Sequence, residues 1–194
     1  MSIYLPLQKN NMTFKKWFDK KYKGIDPHTI MLIDASTQNI SSLSGMECLI
    51  NLEYLYLSKN NLFSLSGIEH LKKLKKLFIY YNNLSSLSGI EYLQNLQNLD
   101  ISSNNLFSLS GIEHLKNLKN FNISNNNLFS LSGIEHLQNL QTLTLSNNKL
   151  SSASEILYLK NLEYVDIAND VPSLKKIIKY SSNVNLFTSS KNSQ

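Results

Sequence analysis

Cys48 and His70 are a thiol and an imidazole 22 residues apart. Brought together, they would make a nucleophile and its base. His114 and His136 recur at the same interval and, with Glu113 or Glu135 beside them, offer donors for a transition metal. Two imidazoles are fewer ligands than a structural zinc site uses. A column of carboxylates accompanies them, in Ser44/Glu47, Ser66/Glu69, Ser88/Glu91, Ser110/Glu113 and Ser132/Glu135. Ser-x-x-Glu is the spacing of a capping box, and helix capping accounts for these acids better than acid–base chemistry does. No third group is placed to orient a Cys–His pair, and His28 has no companion. No phosphate-binding glycine loop, zinc-spaced cysteines or nucleophile elbow occurs. The expectation is a protein without enzymatic activity, cofactor or metal.

The elements that carry these residues are repeats. Gly45, Gly67, Gly89, Gly111 and Gly133 follow one another at 22-residue steps, each within a near-copy of SLSGIEHLKNLKNFNISNNNL. A degenerate coil follows, with Glu155 in the place of glycine. Counting back 22 residues from Leu52, Leu55, Leu57, Asn60 and Leu62 reaches Ile30, Ile33, Ala35, Gln38 and Ile40, so a weaker strand opens the array. Within LEYLYLSKN, period-two alternation turns Leu55 and Leu57 inward and Tyr54, Tyr56 and Ser58 outward. Asn60, Asn82, Asn104, Asn126 and Asn148 stand where each strand ends. An amide there can satisfy backbone donors and acceptors of neighbouring turns.

The pattern L-x-x-L-x-L-x-x-N-x-L, with Leu65, Ile68, Leu71 and Leu74 completing the period, resembles the leucine-rich repeat of the 22-residue class. That class is found in the regulatory subunit of protein phosphatase 1, the outer-arm dynein light chain and bacterial internalins. The resemblance implies an α/β repeat fold: a solenoid with a parallel concave sheet of about seven strands, short convex helices and helical caps at both ends. The expected divisions are a basic helical cap at 1–29, repeats at 30–170, and a helical cap with a polar tail at 171–194. In the first, Phe14, Trp17, Phe18 and Tyr22 form an aromatic stripe behind a Thr13 N-cap. In the last, Pro172 opens a helix-like stretch with Leu174, Ile177 and Ile178 on one face, and Leu186 and Phe187 are able to tuck back.

All 19 basic residues are lysine, and the net charge is +5. The two ends carry +4 each and the repeats −3, so the concave face lacks the basic stripe of a nucleic-acid groove. Arginine, the best bidentate reader of phosphate and guanine, is absent. Nucleic acid is therefore disfavoured as a partner. No apolar run is long enough to span a membrane and no signal-peptide pattern opens the chain, so an intracellular, cytoplasmic address is expected.

The outward columns of the concave face are free of scaffold duty. Asp34, Tyr56, Phe78, Asp100, Asn122, Thr144 and Asp166 form the central one, flanked by columns beginning at Leu32, Ser36 and Thr37. Coils four to six offer only Ser, Asn and Thr in most places. Coils two and three gather Tyr54, Tyr56, Lys59, Lys76, Phe78, Tyr80 and Tyr81, with Lys75 beside them. Such aromatic patches with long cationic neighbours are what protein interfaces use as anchors. Phe63, Phe107 and Phe129, recurring past the strand exit, read as packing between coils. The expected function is a non-enzymatic adaptor or scaffold holding a protein on its concave face. The alternatives are a regulatory subunit of a phosphatase or a cytoskeletal or motor complex, and a peripheral membrane-surface protein held by its Lys-rich ends.

Overall fold

Each coil places one three-residue strand at the same point of its period, because the alternation around Leu55 and its equivalents is short and flanked by turn residues. In the computed structural model, which describes residues 12–167 and 185–187, these strands are β2 (Leu32–Asp34), β4 (Tyr54–Tyr56), β5 (Lys76–Phe78), β6 (Asn98–Asp100), β7 (Asn120–Asn122), β8 (Thr142–Thr144) and β9 (Tyr164–Asp166). They pair in parallel, each residue opposite the one 22 positions later. An eighth strand, β10 (Asn185–Phe187), adds in parallel to β9, so the chain returns to the sheet after the last coil. The stretch around Pro172, with Leu174, Ile177 and Ile178, lies outside the described residues.

Behind the sheet the core is one continuous column. In the coil from Leu62 to Ile79, the apolar residues Leu62, Leu65, Ile68, Leu71, Leu74, Leu77 and Ile79 are all buried. The asparagines tie consecutive coils together. Asn60 Oδ1 accepts from the backbone N–H of Gln38 and Ile40, while its amide donates to the carbonyls of Ala35 and Leu57. Asn82, Asn104 and Asn126 repeat the arrangement. Buried backbone groups that no strand partner reaches are satisfied this way.

The convex segments are the expected short helices, here 3-10 helices of three residues such as Ile68–His70 and Ile112–His114 and one of five, Ser154–Tyr158, closed by backbone bonds like Leu71 N–H to Ile68 C=O; their capping differs from the expectation. Only the glutamate half of the capping box forms: Glu69 Oε2 accepts from Gly67 N–H at 2.8 Å, and Glu91, Glu113 and Glu135 do the same. The serine does not cap the turn, because the N-cap position is taken by a left-handed glycine (Gly67 φ +102°), which has no side chain to cap with. Backbone donors, first its own N–H and then that of Gly67, hold the Glu69 carboxyl below the usual carboxylate range; Glu113 is held likewise by its own N–H and by Gly111.

At the N-terminal end, β1 (Met12–Thr13) pairs with β3 (Ile40–Ser42) and leads into helix α1 (Phe14–Lys21). Thr13 caps the helix by accepting from Lys16 N–H. Phe14, Trp17 and Phe18 are buried on the first coil, and Trp17 Nε1 donates to Gln38 Oε1 at 3.0 Å. Gly45 sits beneath this helix at φ +100°, where an added Cβ would lie 2.6 Å from Lys15 Cβ; at Gly24, φ +80°, it would meet nothing within 4 Å. Gly24→Ala is expected to cost about 1–2 kcal/mol of stability from backbone strain alone. Gly45→Ala, with the clash added, should cost about 2–4 kcal/mol. Urea unfolding of the two variants measures the difference, and equal losses would mean that α1 yields without cost.

Candidate protein-interaction surface

The parallel register sets Asp34, Tyr56, Phe78 and Asp100 side by side on four adjacent strands. Strand pleating turns them away from the core, and Tyr56 and Phe78 stack at 5.2 Å between ring centroids with 12° between planes. Tyr54 and Lys76 face each other in the next column, with Lys76 Nζ 5.7 Å from the Tyr54 ring centroid. Tyr80 and Tyr81 meet edge to face at 5.8 Å. The geometry thus brings Tyr54, Tyr56, Phe78 and Lys76 onto one patch, with Tyr80, Tyr81 and Lys59 along the strand-exit side. Tyr81 is 59% exposed. Lys75 is occupied: its ammonium lies 2.8 Å from Glu53, whose hydrogen bond and charge raise the lysine pKa.

The strand-exit side carries backbone strain. Thr37, Lys59, Tyr81, Ser103, Asn125 and Asn147 all take left-handed φ values of 53–60°. Asparagine tolerates that region, whereas a bulky tyrosine is unfavourable there by about 1–3 kcal/mol. Tyr81 nevertheless holds it, with its ring outward.

Two expectations are corrected here, and the Cys48–His70 juxtaposition is resolved. The serine column beside the strands is not displayed: Ser58, Ser102, Ser124 and Ser146 are buried. The chain turns inward after the three-residue strand, so alternation cannot be extended past it. Phe63, Phe107 and Phe129 do not pack between coils; each is more than half exposed, because it lies on the outside of the bend that follows the asparagine. Cys48 does not engage His70. Its thiol donates to Gly45 C=O at 3.4 Å, while His70, His114 and His136 each lie 3.7–3.8 Å from the glutamate preceding them. Among the described residues, no group of three or more His, Cys, Asp or Glu side chains could hold a metal ion.

Coils four to six read as bland in the sequence, yet a concave hollow of about 120 Å³ runs over them from Phe78 of coil three. Phe78, Asn98, Asp100, Asn120, Asn122 and Thr144 are among its walls. Their small polar side chains hide the feature from sequence: the hollow exists because short residues follow the large Phe78.

Comparison with known families matches this architecture directly. The "Leucine Rich repeats (2 copies)" family model covers residues 50–92 and 138–176, and the "Leucine Rich Repeat" model covers 95–116. The chain belongs to the leucine-rich-repeat family. Two internalins and a leucine-rich-repeat protein are among the similar solved structures. An internalin from Listeria monocytogenes aligns at TM-score 0.64 and 21% identity over 84% of this chain and 55% of its own. Internalin C2 of the same organism aligns at 0.60 and 26% over 83% and 82%. A leucine-rich-repeat protein of Leptospira interrogans aligns at 0.70 and 24% over 82% and 49%. The chain therefore spans about half the length of two of these three relatives. No curated protein matches the sequence. Leucine-rich-repeat folds generally mediate protein–protein interaction. No described helix is long and apolar enough to cross a membrane.

Proposed function

We propose that this leucine-rich-repeat chain is a non-enzymatic adaptor, acting in the cytoplasm, that binds a protein on its concave face through Tyr54, Tyr56, Lys59, Lys76, Phe78, Tyr80 and Tyr81. The observation that carries the reading is the stacked Tyr56–Phe78 pair, standing on two adjacent strands beside the half-buried Tyr54 and Tyr80 and the exposed Tyr81. Aromatic rings bury much area with few rotors, and a surface already ordered by the sheet loses little entropy on binding. The basic-helix alternative is weakened at one end: α1 buries Phe14, Trp17 and Phe18 on the first coil, which leaves no apolar face for a bilayer.

The test is a quantitative pull-down from host lysate with wild type and a Tyr56→Ser, Phe78→Ser, Tyr80→Ser triple variant, each shown to be folded by circular dichroism. Central aromatic anchors typically contribute about 2 kcal/mol or more apiece, so the variant should lose a specific partner at least 30-fold in affinity. Equal retention of the same partners would overturn the concave-patch reading.

A further inference from the structure

One face of the Phe78 ring is covered by Tyr56, and Phe78 also lines the hollow, with Asp100 opposite it on the neighbouring strand. Asp100 is held firmly by neutral groups. Its Oδ1 accepts from Ser102 N–H at 3.0 Å and Ser102 Oγ–H at 2.6 Å, and its Oδ2 accepts from the Asn122 amide at 3.1 Å. A carboxylate offers about four acceptor positions, so one on Oδ2 stays open. Among the described residues no lysine or histidine pairs with Asp100; the ion pairs there engage Asp19, Asp26, Glu53, Glu69, Glu113 and Glu135. An oriented, unneutralised carboxylate thus lies beside an aromatic ring at a hollow of about 120 Å³, far above the roughly 10–15 Å³ that a water needs. Leu99, Phe121 and the side chains of Asn98, Asn120, Thr142 and Thr144 complete a wall that is mostly apolar and carries no other charge.

We propose that this hollow is a subsite for an arginine side chain of the partner protein, its guanidinium flat against Phe78 and hydrogen-bonded to Asp100. Guanidinium is the cation that stacks on an aromatic face while one of its N–H groups donates to a carboxylate, and it sheds water more readily than ammonium does. These 194 residues contain no arginine, so no contact among them supplies the group. This inference rests on the concave-face reading and names the chemistry that face selects.

The test needs no partner. Methylguanidinium chloride is titrated into the full chain and followed by two-dimensional NMR of the asparagine side-chain amides, with methylammonium chloride and sodium chloride at matched ionic strength as references. Saturable shifts at Asn98, Asn120 and Asn122 are expected with methylguanidinium alone. Asp100→Asn, which keeps an oxygen for Ser102, should weaken them at least tenfold. Shifts no larger than those with sodium chloride, or shifts unaffected by Asp100→Asn, would overturn the subsite. Equal shifts with methylammonium would overturn the assignment to arginine. Asp100→Asn in the pull-down separates the two readings. A partner lost by the triple variant but kept by Asp100→Asn leaves the adaptor standing without the subsite. A partner kept by the triple variant, which also lacks the Phe78 ring, overturns both readings.

Discussion

Asn104→Ala is expected to lower the free energy of unfolding by about 3–5 kcal/mol, although it removes only an amide. Asn104 Oδ1 accepts from the buried Leu84 N–H at 3.0 Å, and its amide donates to the carbonyls of Ile79, Ile101 and Ser102 at 3.0–3.2 Å. Alanine leaves at least one donor and one carbonyl buried without a partner, and each such group costs about 1–3 kcal/mol. Asn104→Asp sharpens the test: it keeps the acceptor for Leu84 but turns a carboxylate toward carbonyl oxygens, so at neutral pH it should be no less damaging. The exposed Asn117, with one bond to Gln94 C=O at 2.9 Å, supplies the contrast. Its alanine variant should lose about 1 kcal/mol or less. Urea unfolding followed by circular dichroism measures all three, and similar losses for Asn104→Ala and Asn117→Ala would remove the buried ladder as a source of stability.

Phe14→Ala should have an effect of the same order, acting at one end. Its ring is fully buried, 5.5 Å from Trp17 and 5.6 Å from Phe18 between centroids, over a coil whose Ile33 and Ile40 are also fully buried. Deleting a buried phenyl typically costs about 3–5 kcal/mol, the sum of lost transfer energy and a cavity. Because coils contact only their neighbours, the damage should be graded along the array. Amide hydrogen exchange is expected to accelerate most around Ile33 and Ile40 and least around Ile123. Uniform acceleration along the chain would show that the array unfolds as one unit and that α1 is not a local plug.

Periodicity explains why so much of the fold could be read from residues. Leu55, Leu57 and Asn60 recur with their chemistry intact in every central coil, and such a column has one physical use: burial with satisfied backbone. The second asparagine series escaped notice. Asn51, Asn95, Asn117, Asn139 and Asn161 each donate to a carbonyl 23 residues earlier, yet they lie on the exposed side, where an asparagine in an Asn-rich chain carries no signal. The left-handed positions were concealed for another reason. Thr37, Lys59, Tyr81 and Ser103 share a backbone angle but no side-chain type. The patch itself was legible because Tyr56 and Phe78 are large and fall in register. The hollow beside it was not, since empty space is made by the smallness of Asn98, Asn122 and Thr144 and leaves no letter of its own.

The same ladder that fixes the fold also makes its junctions interchangeable. Asn82, Asn104 and Asn126 form matching bonds across three successive junctions between coils. A boundary between folded and melted chain placed at any of these junctions therefore has nearly the same energy. Such a boundary is a mobile wall, and what pins it is the dissimilar chemistry at the array's margins: the aromatic plug of α1 at one and the returning strand β10 at the other. Excising one whole 22-residue unit would leave each remaining junction chemically unchanged and shorten the concave sheet by one strand spacing, about 4.8 Å. The array is in that sense a ruler graduated in strands, and the distance from the Tyr56–Phe78 stack to either margin is set by counting.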